Sequence, residues 1–417
     1  MTAPIRNWAG NISFSARAFH RPTSVEQLQQ LVAGSDRVRV LGTGHSFNRI
    51  ADTTGDLICL DRLPRRVEVD PERREVTVGG GVRFADLTDV VQAAGFALHN
   101  LGSLPHIAVS GACATGTHGS GVGNGALATA VVGMELIRPD GSLVRVGRGD
   151  PSFEGCVIGL GSLGIVTSLT MELVPTFEIQ QVVYDDLPYE QLLSNLDEVL
   201  AAGYSVSAFL DWRQAAPVMV WVKRLSTASD SWAPAPTWLG ARLADGPRHP
   251  LPGADATHAT AQLGIPGPWH ERLPHFRKEF TPSRGEELQS EYFVAREHGT
   301  AAITALYELR DLLAPVLQVT ELRTVAADRL WLSPSYQTDN LAIHFTWVDD
   351  TDAVTPVLTA IENALAPLNA KPHWGKLFNT SPDAVRLLFE RHADFVGLLN
   401  AFDPAGKFRN EFIDTYF

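Results

Sequence analysis

A histidine set directly behind a pair of glycines is the first feature of this 417-residue chain that could do chemistry. In "RVRVLGTGHSFN", residues 37–48, Val38, Val40 and Leu41 supply the apolar side of a strand, and Arg37 and Arg39 the polar side. The strand runs into Gly42-Thr43-Gly44, and His45 comes next. Glycines let backbone approach a flat or anionic group closely. A neutral imidazole held beside such a group is a competent nucleophile. The second half holds another set. "LAIHFTWV" places Leu341, Ile343, Phe345 and Trp347 on one strand face, with His344 and Thr346 on the other. "QVTELRTV" aligns Val319, Glu321 and Arg323, and "ELQSEYF" aligns Gln289 with Glu291. A face of this composition is either solvated or lines a polar pocket. Solvated strands are usually filled with Lys and Thr, so this compact donor-and-acceptor set favours a pocket for a ligand with many hydroxyls. Each such group buried unpaired would cost about 1–3 kcal/mol, so the ligand must be matched one group at a time.

Several elements must position these residues. "RPTSVEQLQQLVAGS" reads as a helix, with Thr23 and Glu26 as a capping box and Gly34 at its end. Strand-like runs follow at 57–60, 66–69 and 75–78, the last entering Gly79-Gly80-Gly81. "FADLTDVVQAAG" is an amphipathic helix closed by Gly95. Residues 99–125 are dense in Gly, Ser and Thr and show little helix or strand pattern. Strands at 131–138 and 143–146 flank a Pro139-Asp140-Gly141 turn. "GLGSLGIVTSLTMELVP" is a glycine turn leading into a strand. After Pro175 the glycine density falls, which places a domain boundary near 177. Residues 233–269 read as a long Pro/Gly-rich surface loop, and helices are expected near 299–313 and 354–365. Strands ending in glycines recur at 42–44, 79–81, 116–125 and 159–164. A dinucleotide fingerprint fails at Phe47, where a third glycine belongs, and Asp61 is a weak ribose partner. Four such loops instead suggest convergence on one long ligand, whose pyrophosphate backbone N–H groups could cradle.

A formal net charge of -13 argues against nucleic acid or an anionic membrane as partner. No run of 18 apolar residues occurs, and MTAPIRNWAG lacks the apolar core of a signal peptide. Cys59, Cys113 and Cys156 form no C-x-x-C and read as reduced thiols of a cytoplasmic protein. No H-E-x-x-H or clustered carboxylate–histidine set is present, so no metal is expected.

"GTGHSF", "SLPHIAVSGACATGTHGSG" and "GSLGIVTS" together resemble the flavoproteins of the vanillyl-alcohol oxidase type. "ELQSEY", "TELRTVAAD", "HFTWV", "HWGK" and "DPAGKF" extend the resemblance to the alditol oxidases among them, from about residue 7 to the C-terminus. The resemblance implies an α+β fold. A two-subdomain FAD-binding domain of the PCMH type would span 1–177 and a cap with a large antiparallel sheet 178–376. Residues 377–417 would return to the first domain. It further implies FAD covalently attached through His45, with Leu41, Gly42, Thr43, Gly44, Ser46, Phe47, Ser103, Ala108, Gly111, Thr115, Gly116, Thr117, His118, Ile165 and Val166 around the cofactor. A second, cysteinyl bond found in some relatives falls on Leu104 here, so a single attachment is expected. Ser103, Gln289, Glu321, Arg323, His344, Thr346 and Lys376 would surround the substrate. The implied reaction oxidises the C1 hydroxyl of a polyol, with the hydride passing to the flavin and O2 reduced to H2O2. His344, whose unperturbed pKa near 6.5 suits neutral pH, is the expected base. Lys376 would hold the reacting hydroxyl, Arg323 would stabilise charge on the reduced flavin, and Glu321 would orient Arg323 and bind a hydroxyl. His373 is expected to be structural. Gly102, before Ser103, would keep a narrow path open for O2, unless a positive φ alone explains it. A monomer is expected, and an aldonolactone oxidase is the nearest alternative.

Overall fold

The computed structural model describes residues 4–213, 218–227, 232–280 and 286–417. Residues 1–3, at the start of the segment read for a signal peptide, lie outside the described residues.

The first half builds two small sheets. Val38–Leu41 and Ala18–His20 flank Asp56–Cys59 in a parallel three-stranded sheet. The five-stranded antiparallel sheet runs in the order Val67–Asp70, Glu75–Gly79, Ile165–Glu172, Val131–Ile137, Leu143–Gly147. The helix Val25–Gly34 packs Leu28 and Val32 against the first sheet through Val38 and Ile58. Its cap lies one residue later than expected. Ser24 accepts from the Gln27 N–H, and Gln27 Oε1 accepts from the Thr23 N–H. The cap is the last extended residue before the buried stripe begins, and Ser24 holds that place with φ -144°.

Arg39 departs from its expected polar side. It is 3% exposed, and its guanidinium donates to the carbonyls of Ile50, Leu160, Gly161 and Phe408. One arginine thus ties the first strand to a glycine loop and to the C-terminal segment. Lys407 does similar work, donating to the carbonyls of Val32 and Pro139. Val385, Phe389, Phe395, Leu399 and Ile413 share a core with Val78, Leu87 and Leu136. The glycine-rich 99–125 segment contains a helix that its composition hid, Val109–Ala114. Val109, Ala112 and Cys113 form its buried face at helical spacing.

From Glu178 onward, the strands join one ten-stranded sheet. Its central order is Val218–Ser226, Ser205–Leu210, Leu317–Val325, Asn340–Val348, Glu287–Ala295, every neighbouring pair antiparallel. Alternation along Asn340–Val348 divides the sheet as expected. Leu341, Ile343, Phe345 and Trp347 pack against helices Gly299–Glu308 and Thr351–Leu365. His344 and Thr346 take the other face. The 233–269 excursion is more than a surface loop. Thr237–Trp238 and Ala241–Leu243 extend the sheet edge, and His249, Leu251 and His258 reach the central cavity. No helix among the described residues is long and apolar enough to cross a membrane.

Candidate active site

A cavity of about 1470 Å³ lies between the small sheets and the polar face of the large one. Glycine loops line one end of it: 42–44, 79–81, and Gly161 with Gly164. Close approach explains the triple glycine. A Cβ at Gly80 would collide with the Val166 carbonyl, and one at Gly81 with the Leu60 carbonyl. The 116–125 run departs from the expected pattern, for only Thr117 and His118 of it reach the cavity. Gly119 and Gly121 instead let the backbone pass Asn100 and Tyr204.

Of the residues expected around a cofactor, Leu41, Gly42, Thr43, Gly44, His45, Ser46, Phe47, Ser103, Ala108, Gly111, Thr115, Thr117, His118 and Val166 line this cavity. Gly116 and Ile165 do not. Gly116 turns the chain at φ +73° beside Ile158 and Pro334, and Ile165 is buried in the core with Leu28, Val38 and Ile58. Gly44 has φ +72°, which brings the loop back so that the Trp8 N–H donates to its carbonyl at 2.8 Å. Trp8, which no sequence pattern singled out, then stacks on His45 with ring centroids 5.0 Å apart. His45 Nδ1 lies 2.9 Å from Thr43 Oγ1. Burial, followed by the neighbouring His106, lowers the His45 pKa to about 4. The imidazole is therefore neutral, with a lone pair.

Backbone hydrogen bonds join this loop to the lysine segment. The Phe47 N–H donates to the Gly375 carbonyl at 2.8 Å, and Asn48 Nδ2 donates to the carbonyls of Trp374 and Lys376. His373 accepts the Gly375 N–H on Nδ1, a structural contact made within the cavity wall.

The polar sheet face supplies the other end. Register sets Glu291 and Glu321 on either side of His344, and Gln289 and Val319 on either side of Thr346. Glu291, Glu321, His344 and Thr346 are buried and Gln289 is half-buried, and all five line the cavity, which answers the choice between solvated face and pocket. Glu291 is the hub and was missed as a site residue, although alternation had paired it with Gln289. It is 1% exposed. Its carboxylate lies 2.8 Å from Lys376 Nζ, 3.1 Å from His118 Nε2 and 3.4 Å from Arg323 Nη2. Burial alone would raise its pKa, but Lys376, His118 and Arg323 together hold it well below the usual carboxylate range. His118 thus faces the sheet cluster as well as the cavity. Arg323 also donates to Ser103 Oγ at 3.2 Å and sits 3.4 Å from Glu321. The Glu321 carboxylate in turn accepts from His275 Nε2 at 2.8 Å. For Glu321, too, burial is outweighed, by Arg323 and then His275, and its pKa falls. His275 lies in "LPHF" beyond the excursion, where no periodicity marks it.

His344 corrects one expectation. Burial first, then Lys376, pushes its pKa well below the ordinary histidine value, so the unperturbed figure no longer applies. Its Nε2 lies 3.1 Å from Gln289 Oε1, and Gln289 Nε2 donates to Glu287 Oε1 at 2.7 Å. Because the carboxylate orients the amide, His344 carries its proton on Nε2 and its lone pair on Nδ1. Gly102 is not among the positive-φ glycines. A Cβ there would make ordinary contacts, 3.7 Å from the His118 carbonyl and from Thr117 Cγ2. No group of three or more His, Cys, Asp or Glu among the described residues could hold a metal ion.

The glycine-lined groove and the charged sheet face meet in one cavity, and the similarities to known proteins make the chain an FAD-dependent oxidoreductase. Residues 16–147 match the FAD binding domain family, and residues 280–416 match the D-arabinono-1,4-lactone oxidase family. The chain is 51% identical to an alditol oxidase of Streptomyces sp., covering 99% of both chains. It is 26% identical to the L-gulonolactone oxidase of Bos taurus, covering 99% of this chain and 98% of the relative. The chain belongs to the alditol oxidase family of FAD-dependent oxidoreductases, within the vanillyl-alcohol oxidase flavoproteins. Its fold is shared with the crystal structure of cholesterol oxidase from B. sterolicum. That likeness has a TM-score of 0.80 at 14% identity and covers 99% of this chain and 96% of the other.

Proposed function

We propose that the chain oxidises the terminal C1 carbinol of an alditol such as xylitol or sorbitol, by the overall change alditol + O2 → aldose + H2O2. The observation that carries this reading is the row of Glu321, His344, Gln289 and Thr346 on one face, with Lys376 beside them in the same cavity. Such a row matches successive hydroxyls of an open chain one by one.

The residues present fit FAD. The groove supplies Gly, Ser and Thr backbone for a pyrophosphate, and a Cβ at Gly111 would meet nothing within 4 Å, which leaves space against the wall. His45 is neutral and so suited to a covalent tether. When bound, FAD supplies the hydride acceptor and returns the electrons to dioxygen. The chain's own residues do the rest. Lys376 has three N–H protons, one directed at Glu291, and the others hold the reacting hydroxyl. His344 Nδ1 takes the hydroxyl proton. Glu321, Gln289, Thr346 and Ser103 position the remaining hydroxyls, and Arg323 places positive charge between Ser103 and Glu291.

The test begins with colour. The purified protein should be yellow, and acid denaturation should leave the yellow on the chain; colour that separates refutes the tether. Anaerobic mixing with xylitol should bleach the enzyme, and air should restore it with one peroxide per aldose. The match of residues 280–416 to a lactone oxidase family favours a second reading, oxidation of a ring hydroxyl. Bleaching by gulonolactone but by no alditol would establish it.

Gly102→Ala is expected to slow reaction of the reduced enzyme with O2 by roughly tenfold or more, with reduction by xylitol kept. A methyl group there fits the backbone and narrows a path for a small molecule. Stopped-flow measurement of both half-reactions decides it. Equal losses in both would make Gly102 a backbone residue only.

A further inference from the structure

We infer that Lys223 is a positioning residue for the Glu321 carboxylate and acts through the ring of His275. The inference rests on the polyol reading above, in which Glu321 accepts substrate hydroxyls.

Lys223 stands on Val218–Ser226, one strand beyond the neighbour of the Glu321 strand, and is 1% exposed. Burying an ammonium among apolar neighbours is costly unless its protons are all engaged. Here they are. Nζ donates to the carbonyls of Leu273 and Pro274, and it lies 3.5 Å from His275 Nδ1. Burial lowers the Lys223 pKa to about 7, with Glu321 opposing the shift. In its charged form the lysine has three donors and no acceptor, so it requires His275 Nδ1 to be the unprotonated ring nitrogen. The ring proton is then on Nε2, which donates to Glu321 Oε1 at 2.8 Å. A carboxylate only accepts, so both ends of the relay demand the same tautomer. Trp221 and Phe209 hold the ring edge-on, with centroids 5.3 Å and 5.6 Å away. The His275 N–H donates to the Ser103 carbonyl at 3.1 Å, so the loop is also fastened to the far side of the cavity. Both His275 and Arg323 meet Glu321 at Oε1, and Glu321 lines the cavity.

Without Lys223, Glu321 alone still favours the Nε2–H tautomer, so the other tautomer gains population and the ring is held less firmly against the carboxylate. The carboxylate then loses the orientation that substrate binding needs. Chemistry at C1, which depends on Lys376 and His344, stays.

The experiment uses the flavin-loaded enzyme. In Lys223→Met, the dissociation constant for xylitol, from anaerobic rapid mixing, should rise about tenfold, and the limiting reduction rate should change less than about threefold. Adding Lys223→Met to Glu321→Gln should cause no further loss. The ¹⁵N spectrum of histidine-labelled protein should show His275 as the Nε2–H form in the wild type, and Lys223→Met should shift it. An unchanged dissociation constant with an unchanged tautomer overturns the inference, as do losses that add in the double variant. If Lys223→Met does not fold, His275→Asn must show the same rise and the same lack of effect in Glu321→Gln; additive losses there overturn it too. Wild-type enzyme that no alditol reduces would sink the polyol reading alone, because the tautomer arm needs no substrate.

Discussion

Lys376→Ala lowers the rate of anaerobic reduction by xylitol by about 10³-fold while the chain keeps its flavin and its fold. The size follows from the role. A positioned cation that stabilises developing alkoxide charge is worth about 10²–10³ in rate, and a positioned base about 10²–10⁴. The lysine sits within the cavity, directly behind the backbone that fastens the His45 loop. Its loss leaves Glu291 with two partners, His118 and Arg323, so the fold is not the first casualty. His344→Ala should lose rate on the same scale. Its imidazole is neutral because burial and Lys376 disfavour its charged form, so it is in the accepting state without help from pH. His344→Gln separates proton transfer from space-filling: it keeps a polar side chain near Gln289 but has no basic nitrogen. Stopped-flow reduction under nitrogen gives the rates. A near-normal rate in Lys376→Ala or His344→Ala takes that residue out of the chemistry.

Much of this arrangement could be read from the chain because strands have period two. "LAIHFTWV" separates the face packed on helices from the face in the cavity without reference to any partner strand. The same alternation aligned Glu321 with Arg323 and Gln289 with Glu291. It could not rank them. Glu291 becomes the hub only through strand register and through His118 and Lys376, which come from remote parts of the chain. His275, Trp8 and Lys223 left no periodic signal. His275 lies in a loop, Trp8 meets its partner only because Gly44 turns the chain, and Lys223 looks like an ordinary polar residue of a strand. Arg39 misled for a related reason. Alternation gives a side, but whether that side meets water depends on what packs over it, and here a glycine loop and the C-terminal segment do. The glycine loops were legible as a set; which glycines face the cavity was not, because composition cannot distinguish a cradle from close packing. Gly119 and Gly121 serve the second purpose.

Glu291→Ala should cost the most stability of any single change at the site, about 3–5 kcal/mol, because it strands buried positive charge. Lys376 and Arg323 both meet this carboxylate, and each is largely buried. Removing the acid also removes the attraction that partly restores the Lys376 pKa against burial, so the lysine tends toward its neutral form. Glu291→Gln keeps the volume and part of the hydrogen bonding, and the expected loss is smaller, about 1–3 kcal/mol. The two variants differ in a further way. The Glu291 carboxyl titrates well below its ordinary value in the folded protein. The stabilisation it gives is therefore complete above the ordinary carboxyl range and is lost as pH falls toward the depressed folded value. Wild-type protein should weaken steeply between about pH 5 and pH 3, and Glu291→Gln less so. Glu321 retains its own depressed value, so some slope persists in the variant. Urea denaturation midpoints of the flavin-loaded proteins across that range supply the comparison. Parallel curves for wild type and Glu291→Gln, or a Glu291→Ala midpoint close to wild type, would show that the cluster is held by something other than this acid.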